Sequence, residues 1–131
     1  NVMETTDNYA HSVNIPLYMG KLVLIFSSDA KYVKAKAGDF DDDYVFAQSR
    51  IVNWNGRQGF AIILNPWSKG DHITHGVIAH EALHTANFIA NKRGIDVDGE
   101  NDEPIAYLVM WITDQVYKGM RRFGINTETL I

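Results

Sequence analysis

The sequence predicts an α+β fold, with a mostly antiparallel sheet packed against two long helices. Short runs rich in β-branched and aromatic residues fill its first half, turn residues separate these runs, and helical periodicity dominates its second half. Hydrophobic residues make up 46% of the 131 residues and charged residues 21%, which is ordinary globular usage. We therefore expect one domain spanning residues 1–131.

Two hairpins are predicted in the first half of the chain. Apolar runs within residues 13–27 are interrupted near Gly20, as expected for two strands and a turn. Residues 44–54 and 59–64 are rich in valine, isoleucine, phenylalanine and tryptophan, and an Asn-Gly pair stands between them. These patterns do not determine the order in which the strands pair.

A short helix and an acidic loop are expected between the hairpins. Ser28 and Asp29 carry side-chain oxygens that can cap a surface helix running through Lys36 and ending at Gly38. The loop that follows contains Asp39, Asp41, Asp42 and Asp43. These carboxylates could coordinate calcium, but their spacing matches no known calcium loop, so we expect a solvated loop.

Two long helices are predicted in the second half. Asp71 or Thr74 can cap the first, which runs to about Lys92. A loop over residues 95–101 leads to the second helix, with Pro104 in its first turn. Its expected buried stripe consists of Leu108, Val109, Ile112 and Val116.

Charge and composition exclude several classes of function. The formal net charge of −4 offers no overall basic field for nucleic acid or anionic lipid, although it leaves room for a local patch, and we do not expect nucleic acid as a partner. There is no cysteine, so disulfides, thiolate ligands and a cysteine nucleophile are excluded, and any metal must use histidine, aspartate and glutamate. Residues 1–14 lack the pattern of a signal peptide, and no apolar run is long enough to span a bilayer. We expect a cytoplasmic protein without a membrane partner.

His80, Glu81 and His84 form an HExxH motif inside the first long helix. Histidines four residues apart share one helix face, so their imidazoles can bind one zinc ion. Glu81 is rotated by about 100° from His80 and can accept a proton from a metal-bound water. This combination of two ligands and a base is typical of metalloproteases. The alternative is that the histidines only pack or hydrogen-bond at the surface and that Glu81 is solvated.

Glu103 is the candidate third ligand, at the start of the second long helix. It would bring a carboxylate oxygen to the metal if the two helices pack together. Alternatively, it only stabilises the helix N-terminus, where the macrodipole favours an acid. Glu100 and Asp102 are the nearest substitutes, and Asp96 and Asp98 lie further into the loop.

Three further side chains could contribute to a reaction. Tyr107 lies one turn beyond Glu103 and could donate its hydroxyl to a developing oxyanion. The alternative is an amphipathic residue at the edge of the core. His72 and His75, near the start of the first long helix, could reach a substrate or could serve only as surface or capping residues.

Residues 72 to about 117 resemble the zincin metallopeptidases, and within them the group that uses a glutamate as third ligand. Residues 79–88 (AHEALHTANF) and 101–111 (NDEPIAYLVMW) are also similar to small, phage-encoded zincin-like proteins of largely unassigned activity. The resemblance implies a zincin-like arrangement of the predicted sheet and helices. It also implies that the strand at residues 59–64 presents its edge to an extended peptide.

The same resemblance implies that zinc is bound by His80, His84 and Glu103 and that Glu81 is the general base. In thermolysin-like members an acidic residue follows the glutamate ligand by four positions, whereas Tyr107 stands at that place here. This departure leaves the groups behind the histidines unassigned.

The function that these residues favour is zinc-dependent hydrolysis of peptide bonds, with a peptide or protein as substrate. A zinc-binding protein that acts in binding or assembly without turnover is the main alternative. A hydrolase of non-peptide amides would share the same metal site and differ only in its pocket.

Overall fold

The computed structural model describes residues 7–38, 47–67 and 73–125. In chain order the elements are β1 Asn8–Asn14, β2 Lys21–Ser27, α1 Ala30–Ala37, β3 Ala47–Trp54, β4 Arg57–Leu64, α2 His75–Lys92 and α3 Glu103–Arg122. The predicted α+β class is confirmed, with two long helices following the strands. Within the described ranges, no helix combines the length and apolar character needed to cross a bilayer.

The strands form one mixed sheet in the order β1-β2-β4-β3. β1 pairs with β2 and β3 pairs with β4 in antiparallel fashion, whereas β2 and β4 are parallel neighbours. β4 is therefore hydrogen-bonded on both sides and has no open edge. The expectation that residues 59–64 present an edge to a peptide is wrong, because that stretch lies within β4. Among the described strands, the edges are β1 and β3.

The second strand of the first hairpin and the described part of the second hairpin are confirmed. The predicted position of the first strand is wrong: β1 ends at Asn14, and residues 15–20, which include positive φ angles at Leu17 and Met19, form the connection to β2.

The turn of the second hairpin explains where β4 begins. Asn55 and Gly56 have φ angles of 53° and 82°, and this pair of positive angles is typical of the two-residue turn that matches strand twist. β4 therefore starts at Arg57, two residues before the predicted start. The described part of β3 begins at Ala47, so the expected strand start at residues 44–46 lies outside the described residues.

The sheet separates two groups of buried side chains. Alternate residues of β2 and β4 point to opposite faces, and both faces are covered, which explains why residues 22–26 and 60–64 are continuous apolar runs. One face packs against α2 and α3 through Leu22, Leu24, Phe26, Phe60, Ile62 and Leu64. The other packs with α1 through Val23, Ile25, Val33, Val52, Ala61 and Ile63. Helices thus cover both faces, and α2 and α3 share one of them.

The helix ends follow the chemistry of their capping residues. Asp29 caps α1 by accepting a bond from Lys31 N at 2.9 Å, and Gly38 ends that helix with a φ of 87°. Thr74 caps α2, since its hydroxyl oxygen accepts a bond from Val77 N at 3.0 Å. The other candidate cap, Asp71, and the acidic loop at residues 39–43 lie outside the described residues.

The apolar stripe of α3 is confirmed as the side that faces the core. Leu108, Ile112 and Val116 are fully buried, and Val109 is half-buried. A helix with one such stripe is held in place mainly by packing, so this stripe determines which side of α3 meets α2 and the sheet.

Candidate metal centre

Helix α2 presents His80 and His84 on its exposed side, one turn apart. Their Nε2 atoms lie 3.0 Å from each other, and their rings meet edge to face with centroids 4.5 Å apart. Two nitrogens on tetrahedral zinc, each about 2.0–2.1 Å from the metal, are separated by about 3.3 Å. A small outward turn of the rings would therefore let both nitrogens bind one ion. The spacing of the two histidines in the sequence predicted their common direction.

Glu81 lies on a different side of α2 from the histidines and is only 7% exposed. The Ser49 hydroxyl of β3 lies 2.7 Å from Glu81 Oε1 and 3.0 Å from the Glu81 carbonyl oxygen. Thr85 donates to that same carbonyl at 2.9 Å, which leaves the single proton of Ser49 for the carboxylate. Glu81 is therefore a buried, hydrogen-bonded group and not the solvated glutamate of the alternative, whereas the hydrogen bond between His80 and His84 at the surface is one that the alternative expected.

Ser49 is a site residue that the sequence did not reveal. Its contact with Glu81 requires β3 to lie along α2, and the pairing order of the strands cannot be read from their composition. A serine between a glutamine and an arginine in the strand sequence AQSRIVNW looks like an ordinary exposed position. No motif spacing connects it to the HExxH residues.

A groove of about 500 Å³ runs between the edge strand β3 and the first turns of α2. Ala47 contributes the wall on the β3 side, and Val77, His80 and Glu81 contribute the wall on the α2 side. A ligand in this groove would contact one of the paired histidines and the buried carboxylate together. The groove has the size of ordinary small-ligand and peptide subsites.

Glu103 stands at the first position of α3 and is exposed. Tyr117, near the end of α3, contacts His75 at the start of α2, so the two helices are antiparallel. Glu103 lies about 21 Å from Tyr117 along α3, whereas His84 lies about 14 Å from His75 along α2. Glu103 is thus about 7 Å beyond His84 along the helix pair.

The two histidines also face away from the side of α2 that meets α3. At 3.6 residues per turn, His84 points about 180° away from His75, whose side contacts α3. Within the three described ranges, no group of three or more histidine, aspartate or glutamate side chains is placed to share a metal ion. The structure brings His80, Glu81 and His84 together and leaves Glu103 apart from them. The ligand role of Glu103 stays a prediction.

The substitute acids lie in the loop between α2 and α3. Asp98 Oδ1 accepts bonds from the backbone amides of Glu100 and Asn101, both at 2.8 Å, so this carboxylate shapes the loop. Asp102 precedes α3 and makes no side-chain capping bond. Asp96, Glu100 and Asp102 are exposed. These residues stay substitutes for Glu103 that only metal binding can test.

The other candidate residues lie outside the groove lining or outside the described residues. His75 Nδ1 forms a hydrogen bond with the Tyr117 hydroxyl. Burial raises the pKa of Tyr117, so this hydroxyl stays protonated at neutral pH. Tyr107 is half-buried and packs against the core, which agrees with a core-edge position, and its oxyanion role stays a prediction. His72 lies outside the described residues.

Comparison with known proteins does not assign this chain to a family. No family model, no curated protein and no solved structure matches it. The functional assignment therefore depends on the geometry of His80, Glu81 and His84 and on the resemblance that their motif carries.

Proposed function

We propose that this protein is a zinc-dependent peptidase of the zincin type. The observation that carries the proposal is the pair of Nε2 atoms of His80 and His84, 3.0 Å apart on one helix, with buried Glu81 beside them at a groove. Neutral imidazoles and carboxylates suit zinc, and the chain has no cysteine to offer thiolates. Two histidines with an adjacent glutamate on one helix form the arrangement that metalloproteases use for hydrolysis.

Glu81 would act as the general base and then as the general acid. Zinc, when bound, would act as a Lewis acid and would lower the pKa of the water bound to it to near 7. The Ser49 hydroxyl occupies Oε1, and Oε2 has no donor among the described residues, so Oε2 is available to accept a proton from the attacking water. Glu81 then donates that proton to the leaving amine. Ser49 positions this carboxylate and does not touch the substrate.

Substrate would approach along β3. β3 is an edge strand in the described sheet, and its residue Ala47 lines the groove that His80 and Glu81 border. An extended peptide can hydrogen-bond to such an edge, which would place its backbone along the groove. This assigns to β3 the docking role that the resemblance implied for residues 59–64. Peptide amides, rather than small free amides, are the class of substrate that this edge favours.

Completion of the zinc site through Glu103 is part of the proposal. The Glu103 carboxylate would have to move about 7 Å towards His84 along the helix axes. It would also have to reach the side of α2 on which the histidines lie. The first turn of α3 would have to leave its present packing, in which Ile105 is buried in the core. Zinc binding would then order the start of α3 against α2.

Metal-dependent cleavage of a peptide library tests the proposal. Zinc-loaded protein, chelator-treated protein and Glu81→Gln protein are each incubated with the library, and products are identified by mass spectrometry. We expect cleavage by the zinc-loaded protein alone, because the other two lack the metal or the proton acceptor. Equal cleavage by the Glu81→Gln variant would show that a contaminating peptidase or a different mechanism is responsible.

A zinc-binding protein without turnover is the second candidate. It is favoured by the observation that the described residues offer two histidines but no assembled group of three ligands. This candidate predicts stoichiometric zinc and no cleavage of any library member. A hydrolase of non-peptide amides would instead leave the library intact and release ammonia or an amine from small amides.

A further inference from the structure

A second pocket lies near the C-terminal end of α2, away from the candidate metal centre. It has a volume of about 400 Å³ and is lined by residues that begin β2 and β4 and by Arg93, just after α2. His84 and Arg93 are about 14 Å apart along the helix axis, so the two sites are separate. The pocket belongs to the size class of small-ligand sites.

Three cationic side chains line this pocket: Lys21, Arg57 and Arg93. They come from three different elements, and within the described residues none of them forms an ion pair with a carboxylate. The chain as a whole carries a net charge of −4, so a cluster of three positive groups is not its general surface character. The side-chain amides of Asn14 and Gln58 add neutral hydrogen-bond donors to the same lining.

The guanidinium of Arg93 is held in place before any ligand binds. Its Nε donates to the Tyr18 carbonyl and its Nη2 donates to the Met19 carbonyl at 3.0 Å. The group also lies 5.6 Å from the centroid of the Phe60 ring, within the range of a cation–π contact. An arginine fixed in this way loses little further side-chain entropy when it binds an anion.

The loop before β2 contributes Met19 and Gly20 to the pocket lining and has backbone positions with positive φ. Leu17 and Met19 have φ angles of 69° and 60°, which residues other than glycine rarely adopt. Gly20 has a φ of 91°, which strains any other residue, and a Cβ there would lie 2.9 Å from Arg93 Nη2, so the guanidinium would have to shift. Strained loop positions of this kind often occur at ligand sites.

We propose that this pocket binds a multivalent oxyanion, namely a phosphate group carried by a small molecule. Two guanidinium groups and an ammonium group match the charge and the several acceptor oxygens of phosphate, and carboxylate offers fewer of both. The Asn14 and Gln58 amides can donate to further oxygens. The site is independent of the proposed zinc chemistry.

Calorimetric titration with inorganic pyrophosphate tests the pocket, at a fixed ionic strength so that charge screening is constant. Removal of one charged donor weakens such binding by about tenfold, so Lys21→Gln and Arg57→Gln should each raise the Kd by about that factor. Lys31→Gln is the matched control, because Lys31 is an exposed cation of α1 outside the pocket. We expect it to leave the Kd unchanged within about twofold.

Further arms separate this site from other sources of binding. The His80→Ala, His84→Ala double variant should bind pyrophosphate normally, whatever the outcome of the peptidase experiments. Acetate should bind much more weakly than pyrophosphate, which distinguishes a phosphate site from a carboxylate site. Absence of saturable pyrophosphate binding, an equal loss in Lys31→Gln, or tighter binding of acetate would each overturn the proposal. Arg93→Gln is left out of the comparison because Arg93 also holds the loop.

Discussion

The residues of the motif could be read from the sequence, but their surroundings could not. A spacing of four predicted that His80 and His84 share a helix face, because that follows from helix geometry alone. The hydrogen bond from Ser49 to Glu81 joins positions on different elements, so it depends on how β3 packs on α2. Local spacing carries no information on such packing. The position of Glu81 on α2 was therefore predictable, and its hydrogen-bond partner was not.

Replacement of Ser49 tests that partner directly. In Ser49→Ala the Oε1 atom of Glu81 loses its donor at a buried position, which should lower the free energy of unfolding by about 1–3 kcal/mol. Turnover should fall further than zinc binding, because the carboxylate loses its orientation. Urea unfolding and zinc titration measure the two effects.

The matched pair Ser49→Thr and Ser49→Val separates the hydroxyl from the shape of the side chain. Threonine keeps the donor and valine has nearly the same volume without it. We expect stability and turnover to be retained in Ser49→Thr and lost in Ser49→Val. Equal behaviour of the two variants would mean that Ser49 only fills space.

Glu81→Gln tests the role of the carboxylate separately from its packing. Glutamine has nearly the same shape and can still accept the bond from Ser49, but its amide cannot take the proton of an attacking water. The variant should bind zinc with normal stoichiometry and lose hydrolysis. Elemental analysis and a cleavage assay on one sample check both statements, and turnover at the rate of the unchanged protein would rule out the assigned role.

Helices, turns and strands could be predicted from neighbouring residues, whereas the way in which these elements pack on one another could not. The second hairpin, the caps and the apolar stripe of α3 follow from turn residues, capping side chains and periodicity. The neighbours of β4 do not, because a strand buried on both faces looks the same wherever it sits in the sheet. The alignment of α3 with α2 is not local information either. It could be established only from the contact between His75 and Tyr117, and the place of Glu103 follows from it.

Glu103 is the residue whose role depends on that alignment. If it completes the zinc site, Glu103→Ala should weaken zinc binding much more than the matched Glu100→Ala. If it only favours the start of α3, the loss should be at most about 1 kcal/mol of stability, with zinc affinity nearly intact. Competition with a chromophoric chelator, together with thermal unfolding of the metal-free protein, distinguishes these outcomes. Loss of zinc in Glu100→Ala or Asp102→Ala alone would reassign the third ligand.

At the scale of the whole molecule, two sites occupy different regions along α2. His80 and Glu81 line a groove beside the edge strand β3, and the cationic pocket lies where the end of α2 meets the starts of β2 and β4. Composition predicted neither location, because a net charge of −4 conceals a local cluster of positive groups. The two sites can therefore be tested by separate variants without shared side chains.

We propose that His80 and His84 hold zinc. The zinc content of the purified protein measures this without any assay of activity. Untagged protein, prepared without chelators, is compared by elemental analysis with the His80→Ala, His84→Ala variant, and His11→Ala serves as a control for loss of a histidine elsewhere. We expect about one zinc per chain in the unchanged protein and in His11→Ala, and almost none in the double variant. Equal zinc in the double variant, or none in the unchanged protein, would contradict the proposal.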